Sequence, residues 1–209
     1  MRDFTPFVLG LTGGIGAGKS TCSARLRAIG LPIFDADAEV AALYRMRGFI
    51  ADLEAVFGPL GEDPRRGVIA RLLDDPTVLD RAYTVAHPRL EAAYASFLQS
   101  HQRAPVVVID APLLFEKGWA ERCDAVVCVM TERAERLRRA LTRPGMTEER
   151  FRRADAHQVS DDVRRARSTF LLDGGQPREA MLDHLDAVLH KVADLADARL
   201  ERARRGRAG

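Results

Sequence analysis

The sequence predicts an α/β fold: a parallel sheet flanked by helices, carrying a helical insertion and a basic helical segment. Three observations carry that expectation. Short apolar runs alternate with helix-patterned stretches, the order that gives parallel strands joined by helical crossovers. The first apolar run leads straight into a glycine-rich loop that opens a helix. The stretch 38–103 is too long for one crossover and holds no convincing strand, so it reads as an insertion.

The elements follow in order. Phe7 to Leu11 is a short apolar run and reads as a buried strand. Lys19 to Ile29 is a helix with Cys22, Leu26 and Ile29 on one face, stopped by Gly30. Leu31 to Phe34 is a second strand, ending at Asp35-Ala36-Asp37. From Ala38 to Gln102 the pattern is mostly helical, broken at Gly48, Phe57-Gly58-Pro59, Gly61 to Pro64, Pro76 and Pro88. Val106 to Ile109 is the strongest strand and ends at Asp110-Ala111-Pro112. Ala125 to Met130 is another. Thr131 to Gln158 is charged and helical, interrupted at Pro144-Gly145, and Thr169 to Leu172 is a last strand, closed by Asp173-Gly174-Gly175. The final helix places Met181, Leu185, Val188, Val192 and Leu195 at spacings of 4, 3, 4 and 3, a core-facing stripe. A single domain over 1–209 is expected, with core segments 1–37, 104–131 and 168–200, the insertion at 38–103 and a lid at 132–167.

Composition bounds the function. With 46% apolar and 30% charged residues, the chain has enough apolar content for a packed core and is not disordered. No apolar run reaches the roughly 18 residues that span a bilayer, and Met1 to Leu11 is too short for a signal peptide. A cytoplasmic protein with no membrane partner is expected, a monomer acting on a small molecule. Cys22, Cys123 and Cys128 form no CxxC pair and no metal-ligand spacing, and read as small hydrophobes in a reducing compartment. There is no asparagine, and lysine occurs only at Lys19, Lys117 and Lys191. Arginine and lysine are not interchangeable at phosphate sites, so a lysine kept at position 19 is itself a signal. The net charge of +2 is uneven: 131–167 holds 11 arginines against 7 acids, or +4, and 199–209 holds 5 arginines against Glu201, also +4. The basic end reads as a solvated tail, with no nucleic-acid partner expected.

Gly13-Gly14-Ile15-Gly16-Ala17-Gly18-Lys19-Ser20 matches G-x-x-x-x-G-K-[ST] in full, after a strand and before a helix. This motif makes the sheet one of the P-loop NTPase type. Glycines let the backbone wrap a phosphate with several N–H groups pointing inward, and the helix N-terminus adds partial positive charge. Lys19 would reach the β- and γ-phosphates of ATP, and Ser20 would offer its hydroxyl to Mg2+. The common GTPases read guanine with Asn-Lys-x-Asp, which a chain without asparagine cannot contain. Large ATPases need a longer chain. A small-molecule kinase fits better.

Asp35 and Asp37 stand at the end of the second strand, where open α/β sheets bind ligands. In a strand-like continuation they would face opposite sides, so one could meet the γ-phosphate while either could cap the next helix. Asp110 ends an apolar strand, the pattern of an acid that binds Mg2+, though a strand-end turn residue looks the same. Arg136, Arg139 and Arg143 are spaced three and four apart, on one helical face, with Ala134, Leu137 and Leu141 on the opposing apolar one. On a mobile segment they could neutralise transition-state charge; on a solvated helix they would do nothing of the kind.

These residues, taken in order, resemble the dephospho-CoA kinase family. The match includes Leu11 to Thr21 across the glycine-rich loop, Asp35-Ala36-Asp37, Arg65, His87-Pro88, Pro112-Leu113-Leu114-Phe115-Glu116, and Arg139, Arg143 and Gln158 in the lid. The resemblance implies transfer of phosphate from ATP, with Mg2+, to the ribose 3′-hydroxyl of dephospho-CoA, giving CoA and ADP. It implies that 38–103 is the CoA-binding insertion. It implies ATP contacts from Gly13, Gly14, Ile15, Gly16, Ala17, Gly18, Lys19, Ser20 and Thr21, and Mg2+ held by Ser20, with Asp110 outside the family's core motif. Asp37, the second acid of its motif, would be the base. Arg143 and Arg139 would join Lys19 in stabilising the phosphoryl group. Arg65, His87, Pro112, Leu114 and Glu116 would line the acceptor site with Asp37, although a His before a proline is also a common helix-end residue. Two stretches depart from the family: Arg164 to Thr169, where it carries a lysine before Ala-Asp, and Asp173-Gly174-Gly175, where Asn-x-Gly is common. Both bear on the adenine contacts. The alternatives are another small-molecule or nucleoside monophosphate kinase on this scaffold, and a non-catalytic nucleotide-binding module.

Overall fold

A computed structural model describes residues 5–71, 75 and 77–205. Strand β1 (Phe7–Gly13) is buried along its whole length. It lies at the centre of a five-stranded sheet, paired in parallel with β3 (Val106–Asp110) on one side and β4 (Ala125–Met130) on the other. The edges are β2 (Ile33–Asp35) beside β3, and β5 (Phe170–Asp173) parallel to β4. The order β2-β3-β1-β4-β5 reverses direction at β1, and such a reversal opens a crevice at the carboxyl ends of the strands. β1, β3 and β4 are buried on both faces, which is why they read as unbroken apolar runs and not as alternation.

Helices α1 (Lys19–Ala28) and α9 (Arg178–Arg205) close one face. Their core joins Cys22 and Leu26 to Leu9, Val108, Val127 and Leu172, with Met181, Leu185, Val188 and Val192 from α9. The stripe does not end at Leu195, which is 39% exposed; Ala196 is buried instead. Both positions lie about equally far off the stripe's axis at about 100° per residue. The 196/199 side turns toward the start of β1, where Arg199 donates to the Pro6 carbonyl at 3.1 Å and pairs with Asp124. Gly30 takes φ +83 after α1, a C-terminal stop.

The span Asp35–Ser100 forms a compact unit of its own. It contains α2 (Ala36–Leu43), α3 (Arg47–Phe57), α4 (Pro64–Arg71) and α5 (Val78–Ser100), and α5 packs against the other three. Its core includes Leu43, Phe49, Leu53, Val68, Leu90 and Tyr94. Two expected breaks are not there. Gly48 lies in the first turn of α3, where its N–H has no intrahelical duty. Pro88 lies inside α5. It costs a helix about 3 kcal/mol, but Ala86, Leu90 and Tyr94 are buried on either side of it and hold the helix together. Pro76 lies outside the described residues.

Between β4 and β5 come α6 (Arg133–Leu141), α7 (Glu148–Ala156) and α8 (Asp161–Arg167). Thr147 and Ser160 cap α7 and α8, accepting from the N–H groups of Arg150 and Val163. The expected apolar face of α6 is inverted. Ala134 and Leu141 are exposed and Leu137 is half-buried, whereas Arg136 and Ala140 are buried. The reason is what this side of α6 meets: the Thr131 carbonyl and the Asp155 carboxylate, which the Arg136 guanidinium pairs with and a leucine could not.

Candidate active site

The loop after β1 is built to hold an anion. Gly16 and Gly18 take φ of +81 and +110, values a side chain would resist. Gly18 is the N-cap of α1 and contributes no side-chain cap, and no acid stands in the helix's first turn. Thr21 N–H turns back to the Gly18 carbonyl at 3.0 Å, and the N–H groups of Lys19 and Ser20 at the start of α1 keep their partial positive charge for a ligand. The loop closes on itself through Ala17 N–H to Gly14 O at 2.9 Å. The Thr131 hydroxyl, at the end of β4, donates to the Ala17 carbonyl at 2.9 Å.

Lys19 and Asp110 meet. The Lys19 Nζ lies 2.5 Å from Asp110 Oδ1. The sheet register explains this, because Asp110 stands directly beside Leu11 of β1, at the strand end next to the loop. Asp110 is buried and Lys19 keeps about a fifth of its side chain accessible. A phosphate at the loop would compete with Asp110 for Lys19, whose ammonium has three donors.

A cavity of about 320 Å³ opens beside the loop, lined by Gly16, Gly18, Ser20 and Thr21 on one side and Arg139, Arg143, Gly174 and Gln176 on the other. Arg139 Nη1 donates to the Gly174 carbonyl at 2.8 Å and its Nε to Glu135 at 2.7 Å. Hydrogen bonds from Arg138 and Arg139 hold the Glu135 carboxyl down at about 2. Arg143 lies past the end of α6 and is exposed. The three arginines therefore do not share one face: Arg136 turns to the loop, Arg139 to Gly174, and Arg143 lies beyond the helix. Gly174 is pressed between the Ala17 carbonyl, the Thr131 hydroxyl and Val129.

The turn after β3 is tied to this site. The Pro112 carbonyl accepts from the Thr12 hydroxyl at 3.4 Å and from Gln158 Nε2 at 3.3 Å. Gln158 Oε1 in turn accepts the Ile15 N–H at 2.9 Å. Glu116 Oε1 accepts the Val159 N–H at 2.6 Å, while its Oε2 is buried without a hydrogen bond. Leu114 is fully buried and packs where Gly10 leaves room. It shapes the turn from beneath and offers no surface to an acceptor, contrary to its expected place in the lining.

In the helical unit, Asp35 and Asp37 do not alternate as on a strand. The chain turns into α2 directly, Asp35 caps it by accepting the Ala38 N–H at 3.0 Å, and Asp37 sits exposed in its first turn. Arg65 is the second residue of α4. Burial pushes the Tyr44 hydroxyl up, and the Arg65 charge opposes that shift. His87 lies mid-helix in α5, 3.2 Å from Glu91 and with its ring 5.4 Å from that of Tyr83.

Sequence reasoning read past two residues, Thr131 and Asp155. Thr131 had no signal beyond its place at a strand end. Asp155 is one acid on a charged helix, and only the fold reveals that it meets Arg136 at 2.6 Å. Among the described residues no three His, Cys, Asp or Glu side chains gather as a metal cage, and no helix is long and apolar enough to cross a membrane.

The family model for dephospho-CoA kinase matches residues 7–179. A dephospho-CoA kinase of Novosphingobium aromaticivorans is 42% identical over 175 residues, covering 81% of this chain and 87% of that protein. One of Deinococcus radiodurans is 39% identical over 196 residues, covering 90% and 93%. A Thermus thermophilus crystal structure superposes with a TM-score of 0.77 at 32% identity, covering 90% of this chain and 98% of the other. With a phosphate-binding loop, a lysine and arginines converging at the switch point of a parallel sheet, and relatives that match nearly end to end, this chain belongs to the dephospho-CoA kinase family of ATP-dependent kinases.

Proposed function

We propose that the protein transfers the γ-phosphoryl group of ATP to the ribose 3′-hydroxyl of dephospho-CoA, giving CoA and ADP. The observation that carries the reading is the anion cradle of Gly13 to Thr21 with Lys19 at its mouth, in a chain of this family. The 3′-oxygen attacks the γ-phosphorus, the bond to the bridging oxygen breaks, and the hydroxyl proton passes to Asp37. Such transfers rest on positioning and charge stabilisation, so Asp37 orients the hydroxyl as much as it accepts the proton. Lys19, Arg139 and Arg143 meet the phosphoryl charge. Arg65, His87, Pro112 and Glu116 receive the acceptor. The segment 132–167 acts as the lid and 38–103 as the CoA-binding part.

Mg2+, when bound, neutralises charge on the β- and γ-phosphates. The residues present fit it. Ser20 supplies a hydroxyl at the loop and Asp110 a carboxylate at the adjacent strand end, oxygen donors of the kind a hard cation takes, with phosphates and water completing the shell. Asp110, paired with Lys19 here, would be the second protein donor. The protein works as a monomer in the cytoplasm.

A coupled ADP-release assay with ATP, Mg2+ and dephospho-CoA, run beside AMP, CMP, adenosine and shikimate, tests the reading. Turnover with dephospho-CoA alone is expected, and Asp37→Asn should abolish it while ATP binding survives. Turnover on another acceptor only would sink the substrate assignment; unchanged turnover in Asp37→Asn would remove Asp37 from the mechanism.

A further inference from the structure

Arg136 is 3% exposed, an uncommon place for an arginine unless it is fully engaged. Its Nε donates to the Thr131 carbonyl at 3.1 Å and its Nη1 to Asp155 Oδ1 at 2.6 Å. Asp155 also accepts from Arg133 at 2.8 Å through its other oxygen. Burial raises the Asp155 carboxyl, but the bonds from Arg136 and Arg133 outweigh it and leave it below the ordinary range. On the other side, Arg136 lies directly behind the phosphate loop. A methyl group on Gly14 would stand 2.8 Å from its Nη1, and one on Gly16 would overlap its backbone carbonyl.

The contact continues past this pair. Arg136 Nη2 lies 3.8 Å from Asp161. Asp161 accepts from Arg164 at 2.6 Å, and Arg164 donates to Gln158 Oε1 at 3.2 Å, the oxygen that also takes the Ile15 N–H. Arg164 is 4% exposed. The loop is therefore backed by one connected set: Gln158, between α7 and α8, takes the Ile15 N–H, Gly14 packs against the Arg136 side chain and Gly16 against the Arg136 main chain. Three arginines (133, 136, 164) meet two aspartates (155, 161) in that set, leaving one positive charge behind a site that takes phosphates.

We propose that Arg136, held by Asp155, is a positioning residue of the phosphate loop: it fixes the Gly14 to Gly16 turn in its anion-binding shape and sets nucleotide affinity without touching the nucleotide. This rests on the ATP-dependent reading of the site. It predicts a specific failure when the guanidinium is lost, because a loop free to relax presents its N–H groups less well and loses a fixed charge behind them.

The test uses the full chain and three variants: Arg136→Met, which keeps the stem, Arg136→Lys, and the double variant Arg136→Met/Asp155→Leu. Deleting one partner of a buried pair strands the other charge, whereas replacing both by apolar groups is often neutral. The double variant should thus regain most of the melting temperature lost by Arg136→Met. Titration calorimetry with MgATP and no acceptor should show affinity weakened roughly tenfold or more in Arg136→Met, partly recovered in Arg136→Lys, and still weakened in the double variant. In turnover, KM for ATP should rise with little change in KM for the acceptor. If the double variant recovers both stability and MgATP affinity, Arg136 is merely structural and the proposal fails. Equal affinity of wild type and Arg136→Met fails it as well. The melting and calorimetric readouts need no phosphoryl transfer, so an error in the acceptor would leave the MgATP result standing.

Discussion

The Lys19–Asp110 pair gives the sharpest quantitative test. Asp110→Asn keeps the shape and one acceptor oxygen but removes the charge. A fully buried ion pair broken on one side costs about 3–5 kcal/mol, and a hydrogen bond between charged groups contributes about 1.5–3 kcal/mol. Here the carboxylate is buried at 3% exposure but the ammonium keeps 20% and can recruit water. The lower range applies, and about 2 kcal/mol is expected. At about 2–4 °C per kcal/mol for a chain of this size, the melting temperature of the protein without nucleotide should fall by roughly 4–8 °C. Circular dichroism melts measure it, and a double-mutant cycle with Lys19→Met isolates the pair. Nucleotide binding supplies the second arm. Asp110 competes with phosphate for Lys19 and repels it, so Asp110→Asn should bind ATP in EDTA at least as tightly as wild type, but bind it more weakly with Mg2+ present. A melting shift under about 1 °C would refute the stability argument, and an identical affinity ratio with and without Mg2+ would refute the metal role.

Further outcomes follow from the same geometry. Gly174→Ala should lose about 1–3 kcal/mol or more in chemical denaturation and raise the KM for ATP, because its methyl group would overlap the Ala17 carbonyl and the Thr131 hydroxyl. Burial raises the thiols of Cys22, Cys123 and Cys128 to about 11, 12 and 11, so a thiol reagent at pH 8 should label buried Cys22 and Cys128 only as fast as the protein opens, and half-buried Cys123 more slowly than a free thiol; rapid labelling of Cys22 or Cys128 would contradict its placement. Glu135 is lowered from 4.5 to about 2 by Arg138 and Arg139, so its contribution is fully present above 4.5 and is lost as pH falls through about 2. The stability difference between wild type and Glu135→Gln should stay constant above that window and shrink below it; a difference independent of pH would assign no role to the charge.

Much of the fold was legible because its signals are local. β1, β3 and β4 are apolar runs buried on both faces, and the glycine-rich loop with Lys19 names its own function by spacing. Gly48 and Pro88 misled because a residue's local cost is overridden when flanking positions pack well. Leu195 misled because two side chains one residue apart sit about equally far from a helix's buried axis, and the neighbouring strand chooses between them. The expectation for Asp35 and Asp37 depended on the backbone staying extended, and it does not: the strand ends at Asp35 and the helix begins at once. Arg136 was the larger error. A hydrophobic-pattern reading assigns the buried face of α6 to Ala134, Leu137 and Leu141, since it assumes an apolar neighbour. That side of α6 instead meets the Thr131 carbonyl and the Asp155 carboxylate, and burial there selects a donor.

That inversion bears on how the site binds phosphate. Lys19 and Arg139, two of the cations a nucleotide would recruit, are already engaged, one with Asp110 and the other with Glu135 and the Gly174 carbonyl. Binding must therefore exchange or share partners, and the net gain is less than that of pairing a phosphate with free cations. The groups that need no exchange are the N–H groups at the start of α1 and the charge held behind the loop by Arg136 and Arg164. These are fixed by the fold before any ligand arrives, which makes them the preorganised part of the site. Affinity should then respond more to changes behind the loop than the distance from ligand would suggest, and less to the removal of a cation that must first be freed.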